Sequence, residues 1–170
     1  NLATGAKVWE KEGELSDFRF TNNDQTIVCI RKSGNTAIVT LNANTGQELN
    51  NKPLAVKTIM STAFTNDMKY LFVADADEKS DNIYQFNMST GEQIQVYTGH
   101  TATIWGMDLL AGNEFLISGS SDNTLRVWDI VLKKEVAKII LYEKNNDWVI
   151  IDPNGRFDAS GGAMDELYYV

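Results

Sequence analysis

A chain of 170 residues has room for one ordinary domain with a real core, and none for a second of similar size. Its 43% hydrophobic and 22% charged residues, with only 2 prolines, exclude a disordered or collagen-like polypeptide. A formal charge of −8, from 15 basic and 23 acidic residues, leaves no broad cationic surface for a phosphate backbone or an anionic bilayer, so neither nucleic acid nor a membrane is expected as a partner.

One cysteine and one histidine exclude an internal disulfide and a multi-histidine metal centre. Residues 1–10 hold no basic segment followed by a long apolar run, so neither a signal nor a transit peptide is expected. No stretch approaches the roughly 20 apolar residues of a membrane-spanning helix. A cytoplasmic location is the expectation. The chain opens in mid-motif without an initiator Met, which reads as a processed chain or an excerpt of a longer one.

In chain order, residues 26–30, 37–41, 70–74, 83–86, 115–118 and 125–130 are short, rich in β-branched and aromatic residues, and bounded by Asn, Asp, Gly and Ser. That is the signature of strands and turns. Turns are predicted at 21–24, 33–35 and 66–67, where Asx and Gly residues bond their own backbone or take positive φ. No window of 11 residues sustains an apolar period of 3.6, although residues 162–169 can form one short turn of helix. The fold class is all-β.

The chain also repeats. Thr-Gly occurs at Thr4-Gly5, Thr45-Gly46 and Thr90-Gly91, with a divergent copy at Leu132-Lys133, and the steps from Gly5 to Gly46 to Gly91 to Lys133 are 41, 45 and 42 residues. This is the roughly 40–45-residue period of four-stranded propeller blades. The expected architecture is a β-propeller of antiparallel blades, about three complete and a split or partial fourth, with repeats at 6–49, 50–94 and 95–136 and a partial one at 137–170 joined to 1–5. Residues 148–160 and 166–170 look like the first strands of a closing blade and residues 6–12 like its last. The expected reading is an excerpt whose missing blades lie outside the chain, the alternative a closing blade shared by the two ends or completed by self-association, since propellers typically close with 4–8 blades.

One copy carries a family signature. Gly99-His100, Ser118-Gly119-Ser120-Ser121-Asp122 and Trp128-Asp129 resemble the Gly-His, Ser-Gly-Ser and Trp-Asp marks of a WD-repeat blade. The resemblance implies a structural tetrad of His100, Ser118, Asp122 and Trp128. A closed buried network of this kind satisfies its own polar groups and holds neighbouring strands in one arrangement. In the other copies Leu41 and Phe86 stand at the Trp position, with Asn35 and Ser80 near the Asp position, so those blades are expected to cohere by apolar packing alone. The tail from Asp147 to Ser160 is similar to a segment towards the end of bacterial WD-repeat proteins, some of which carry caspase-like peptidase domains. Its Pro153-Asn154-Gly155 reads as a turn between two strands.

Candidate chemistry is sparse. Cys29 and His100 are the sole Cys and His, yet lie in different blades, so a nucleophilic pair is not expected. Ser118, His100 and Asp122 are the ingredients of a catalytic triad, but the tetrad already uses them. Asp75, Asp77, Glu78 and Asp81 offer hard oxygen ligands without the spacing of an EF-hand loop, a weak candidate for a cation beside the plainer reading of a solvated hairpin tip. Asp152-Pro153-Asn154-Gly155 is turn chemistry before it is a Ca²⁺ site. Thr4-Gly5-Ala6-Lys7-Val8-Trp9 is similar to the docking motif of quinoprotein-like propellers, but Asn50 and Gln95 replace the Trp in the other copies.

No cofactor is expected. Trp9, Trp105 and Trp148 are candidate partner contacts if exposed, and otherwise fill the space between blades. The sequence therefore reads as a non-enzymatic protein–protein interaction scaffold. The alternative is a sensor or regulatory propeller of a larger protein with a linked caspase-like peptidase; the outsider is a quinoprotein-like dehydrogenase.

Overall fold

The computed structural model describes residues 6–32, 34–75, 81–142 and 146–166. Among the described residues, fourteen strands build three antiparallel sheets. The first holds β1 (Leu15–Thr21), β2 (Thr26–Arg31), β3 (Ala37–Asn42) and β4 (Glu48–Pro53) in that order, and the second β5 (Ile59–Phe64), β6 (Tyr70–Asp75), β7 (Ile83–Asn87) and β8 (Gln93–Tyr97). The third begins with β9 (Ile104–Leu109), β10 (Phe115–Ser120), β11 (Thr124–Asp129) and β12 (Lys134–Tyr142). These are three blades in series, and the sheets are not closed into a ring. The expected repeat ends at 49, 94 and 136 fall within β4, β8 and β12.

The six expected strand segments are the two middle strands of each blade, with Ile130 just beyond β11. Middle strands are covered on both faces, so β2, β3, β6 and β7 carry nearly continuous buried runs that stand out in a sequence. Outermost strands are more exposed; β4, with the sequence ELNNKP, carries no apolar pattern, its one leucine, Leu49, being exposed.

Each turn between third and fourth strands is built alike. The Asn42 side-chain oxygen accepts from the N–H groups of Asn44 (2.9 Å) and Thr45 (3.0 Å), Asn87 does so for Ser89 (2.8 Å) and Thr90 (3.4 Å), and Asp129 for Val131 (2.9 Å) and Leu132 (2.7 Å). The chain then takes positive φ at Gly46 (70°), Gly91 (80°) and Lys133 (57°). Glycine accepts that conformation freely, whereas a lysine bears a cost of about 1–2 kcal/mol. The ladder shifts register at the same place in each blade, between Thr40 and Leu41, Gln85 and Phe86, and Val127 and Trp128.

The core lies between blades. Val28, Ile30 and Ile38 of the first meet Leu71, Val73 and Phe86 of the second, and Phe72, Ala74 and Ile83 of the second meet Leu116, Trp128 and Ile130 of the third. On the far side of the first blade, Ile27, Cys29, Val39 and Leu41 are covered by Trp9 and Leu15.

The ends of the chain depart from expectation. Residues 6–12 form no strand; they are held to the first blade by Trp9, which packs on its apolar face and donates to the Ala43 carbonyl. Residues 147–159 do form a strand, turn and strand, β13 (Asp147–Ile151) and β14 (Phe157–Ala159), but β13 pairs with the outer edge of β12. An unpaired strand edge takes any partner in register, so the hairpin extends the third sheet to six strands instead of opening a fourth blade. Glu166, expected in a strand, ends a short helix, α1 (Gly161–Glu166), and residues 167–170 lie outside the described residues.

The first two blades do not rest on apolar packing alone. Buried Thr36 donates to the carbonyls of Leu54, at 3.2 Å, and Val56. The Tyr97 hydroxyl donates to the amide oxygen of Gln85, at 2.9 Å, with both residues buried.

Candidate functional site

The third blade gathers the four residues of the signature. Ser118 stands on β10, Trp128 on β11, Asp122 in the turn between them, and His100 just before β9. The Trp128 indole N–H donates to Ser118 Oγ at 2.9 Å, Ser118 Oγ lies 2.8 Å from His100 Nε2, and His100 Nδ1 lies 2.8 Å from Asp122 Oδ2. An indole nitrogen only donates. Ser118 Oγ is therefore the acceptor there, and at the other end the Asp122 carboxylate only accepts, so the ring hydrogen of His100 sits on Nδ1 and donates to it. With its hydrogen on Nδ1, the ring presents Nε2 as the acceptor for the Ser118 hydroxyl.

The network is enclosed. The His100 side chain is fully buried and that of Asp122 is 7% exposed. Trp128 meets the Tyr97 ring at 5.7 Å and the His100 ring at 6.1 Å, both nearly edge-on. Asp122 also accepts from the Thr101 N–H at 3.1 Å, the Thr124 N–H at 2.9 Å and the Thr124 hydroxyl at 2.6 Å. Burial alone raises its carboxyl pKa, but donation from Thr124, His100 and Thr101 outweighs this and brings it down to about 2. The threonines were not singled out in the sequence, although Thr124 sits two residues beyond Asp122, the reach of an Asx turn.

A Ser-His-Asp series can in principle activate a nucleophile. Here the Ser118 hydroxyl is committed to His100 and Trp128, and the residue is 1% exposed, so no substrate atom reaches it. Cys29 is remote from this network: it is buried in β2, its thiol 3.6 Å from the Val39 carbonyl oxygen. Burial pushes that thiol up to about 11.

Of the acidic group, Asp77 and Glu78 lie outside the described residues, while Asp75 ends β6 and Asp81 precedes β7. Among the described residues, no three His, Cys, Asp or Glu side chains are grouped to hold a metal ion. In the β13–β14 turn the Asp152 carboxylate accepts from Arg156 Nε at 2.7 Å and from the N–H groups of Asn154 and Arg156, both at 2.9 Å.

The three tryptophans differ. Trp9 is turned inward: its indole N–H donates to the Ala43 carbonyl at 2.8 Å and its ring lies on Gly46, where a Cβ would stand 2.6 Å from a ring carbon. The next blade repeats the grip with another residue, since Lys52 lies against Gly91 and its ammonium donates to the Met88 carbonyl at 2.9 Å. Ala43 and Met88 each precede the turn glycine by three residues. Trp105 on β9 is 64% exposed, its N–H held by Ser121, and Trp148 on β13 is 37% exposed. No helix among the described residues is long and apolar enough to cross a membrane.

Comparison with known proteins agrees with this geometry. The family model described as "WD domain, G-beta repeat" matches residues 91–129, the stretch that carries the four-residue network. Eukaryotic translation initiation factor 3 subunit I is 32% identical over 75 residues in Schizosaccharomyces pombe, covering 44% of this chain and 22% of that protein. The Xenopus tropicalis subunit is 31% identical over 81 residues, covering 48% and 24%. The tRNA (guanine-N(7)-)-methyltransferase non-catalytic subunit wuho of Anopheles gambiae is 32% identical over 93 residues, covering 54% and 23%. The matched region thus spans less than a quarter of these relatives. All three are eukaryotic, and neither the bacterial affinity nor the peptidase association expected from the tail is shown.

Among solved structures, U3-55K superposes with a TM-score of 0.62 at 17% identity, over 89% of this chain and 53% of that one. The RRP9 WD40 repeats superpose with a TM-score of 0.59 at 16% identity, over 89% and 52%. These likenesses show the fold.

Proposed function

We propose that this WD-repeat chain, whose sheets are blades of a WD40 propeller, is a non-enzymatic scaffold for protein partners. The observation that carries the reading is a contrast within the third blade. Its polar series is closed on itself and buried, while Trp105, one strand away, presents its ring to solvent. The buried set then has an architectural role, holding β9, β10 and β11 in one arrangement so that rigid ends present recognition residues.

Exposed aromatic residues on a rigid frame are favourable anchors for a partner, and Trp105 and Trp148 are the contacts we assign. Trp9 leaves this group, since its ring and N–H serve the contact with the first blade. The non-catalytic subunit and the initiation factor subunit among the similar proteins support a role within protein assemblies. The sequence repeats, ending at 49, 94 and 136, are read as units that each hand their outermost strand to the junction with the next.

The test is affinity capture with the intact chain beside Trp105→Ala and Trp148→Ala, identified by mass spectrometry. Partners held by the wild type and lost from either variant, at unchanged melting temperature, support the reading. Partner sets that both substitutions leave untouched count against it.

A further inference from the structure

The turn between β11 and β12 carries different chemistry from the two turns it matches. Past the capping side chains of Asn42, Asn87 and Asp129, the tip is Asn44 and Thr45 in the first blade, Ser89 and Thr90 in the second, and Val131 and Leu132 in the third. Val131 is 73% exposed and Leu132 is 62% exposed. That exposure belongs to the turn itself, because Ser89 and Thr90 are exposed as well, although the second blade has a neighbour on each side. Two successive aliphatic side chains therefore face water where the same backbone is elsewhere built from polar residues.

Two lysines follow. Lys133 stands where the other turns have Gly46 and Gly91, at φ of 57°, and Lys134 opens β12. Both are exposed, and neither joins an ion pair among the described residues. Asp129 lies across the ladder from Lys134, but its carboxylate accepts from the N–H groups of Val131 and Leu132. Beside Lys134 a cavity of about 650 Å³ opens between the start of β12 and the β13–β14 turn, with Val136 and Pro153 on its wall. The two carboxylates there are already engaged, Glu135 by Arg126 and Asp152 by Arg156. In a chain of net charge −8 this tip is apolar and locally cationic, and a lysine at positive φ costs stability that a glycine would not.

We infer that Val131, Leu132, Lys133 and Lys134 dock a segment of a partner protein that carries apolar and acidic side chains together. The aliphatic pair supplies surface to bury, the ammonium groups select carboxylates and reject cations, and the cavity beside Lys134 receives the adjoining part of the segment. This tip is at the opposite end of the blade from Trp105, which bonds Ser121 in the turn before β11, so the inference goes beyond the contacts assigned above and is tested separately from them.

The probe is a displayed library of short random peptides, selected on the intact chain. Enriched peptides should combine Leu, Phe or Trp with Asp or Glu, and calorimetry on synthetic copies should show an affinity that falls as salt rises. Val131→Ser together with Leu132→Thr, which gives the third blade the tip of the second, should weaken binding at least about tenfold. Lys133→Gly should also weaken it while raising the melting temperature, which separates docking from folding. No enrichment, enrichment of basic or purely polar peptides, or peptides bound equally by the wild type and the tip variants would each overturn the inference. Peptides lost from Trp105→Ala but kept by the tip variants would overturn it in favour of the contacts assigned above. Phosphatidylserine vesicles that bind the wild type and not the Ser-Thr variant would overturn it in favour of a lipid surface.

Discussion

His100 Nδ1 lies 2.8 Å from Asp122 Oδ2, and this bond joins the segment before β9 to the turn after β10 with both side chains out of water. Because the indole N–H of Trp128 only donates and the Asp122 carboxylate only accepts, His100 donates from Nδ1 and accepts from Ser118 at Nε2, and the whole series runs in one direction, ending on the carboxylate. The charge at its end is what the other donors converge upon.

That charge gives the fold a pH dependence. Burial raises the Asp122 carboxyl, yet donation from Thr124, His100 and Thr101 leaves it at about 2, below its ordinary 3.8. A folded-state pKa lower than the unfolded one contributes stability that is present above pH 3.8 and lost as pH falls towards 2. Urea midpoints across that window should drop more steeply for the wild type than for Asp122→Asn. Parallel curves would show that Asp122 is not the group responsible.

Removing the hydroxyl at the centre of the series strands two buried groups at once. Ser118→Ala leaves the Trp128 N–H and His100 Nε2 without partners and should cost roughly 2–4 kcal/mol, about one desolvation penalty for each. Trp128→Phe should be milder, because Phe86 fills the equivalent place in the second blade fully buried. The double variant should be less damaging than the sum of the two, with a coupling of about 0.5–3 kcal/mol by denaturant titration. Strict additivity would mean the indole–hydroxyl bond contributes nothing.

Gly46 is constrained twice, by φ of +70° and by the Trp9 ring where a Cβ would go. Gly46→Ala should therefore cost about 1–2 kcal/mol for the left-handed backbone, with a further loss as the ring is displaced. Gly112→Ala, at φ of +80° with only the Glu114 side chain near, at 4.0 Å, isolates the backbone part. Trp9 fluorescence should shift to the red in Gly46→Ala and stay unchanged in Gly112→Ala.

Cys29 should be inert in the folded chain. It is fully buried and its thiol is pushed up to about 11, so almost no thiolate exists at neutral pH. A disulfide reagent at pH 7.5 should titrate no thiol until denaturant is added, then one. Rapid labelling of the native chain would place Cys29 in an opening segment.

The sequence by itself determined the period, the turns and the all-β class. Asn42, Asn87 and Asp129 bond their own backbone, and Gly46 and Gly91 accept positive φ, so these features are local and need nothing from afar. It also marked the middle strands, whose burial on both faces writes a continuous apolar run, and the positions of His100, Ser118, Asp122 and Trp128. The outer strands were silent because a half-exposed strand such as β4 pairs through its backbone, which leaves no trace in side-chain type. Only the tertiary structure decided where the ends go. Residues 6–12 and the β13–β14 hairpin suit the edges of a blade, but a strand edge bonds whichever partner is adjacent, so the hairpin joined β12 and the first segment was held by Trp9. The polar junctions of Lys52 and of Gln85 with Tyr97 belong there too: contacts between blades join residues distant in the chain, and their geometry exists only once the sheets stand side by side.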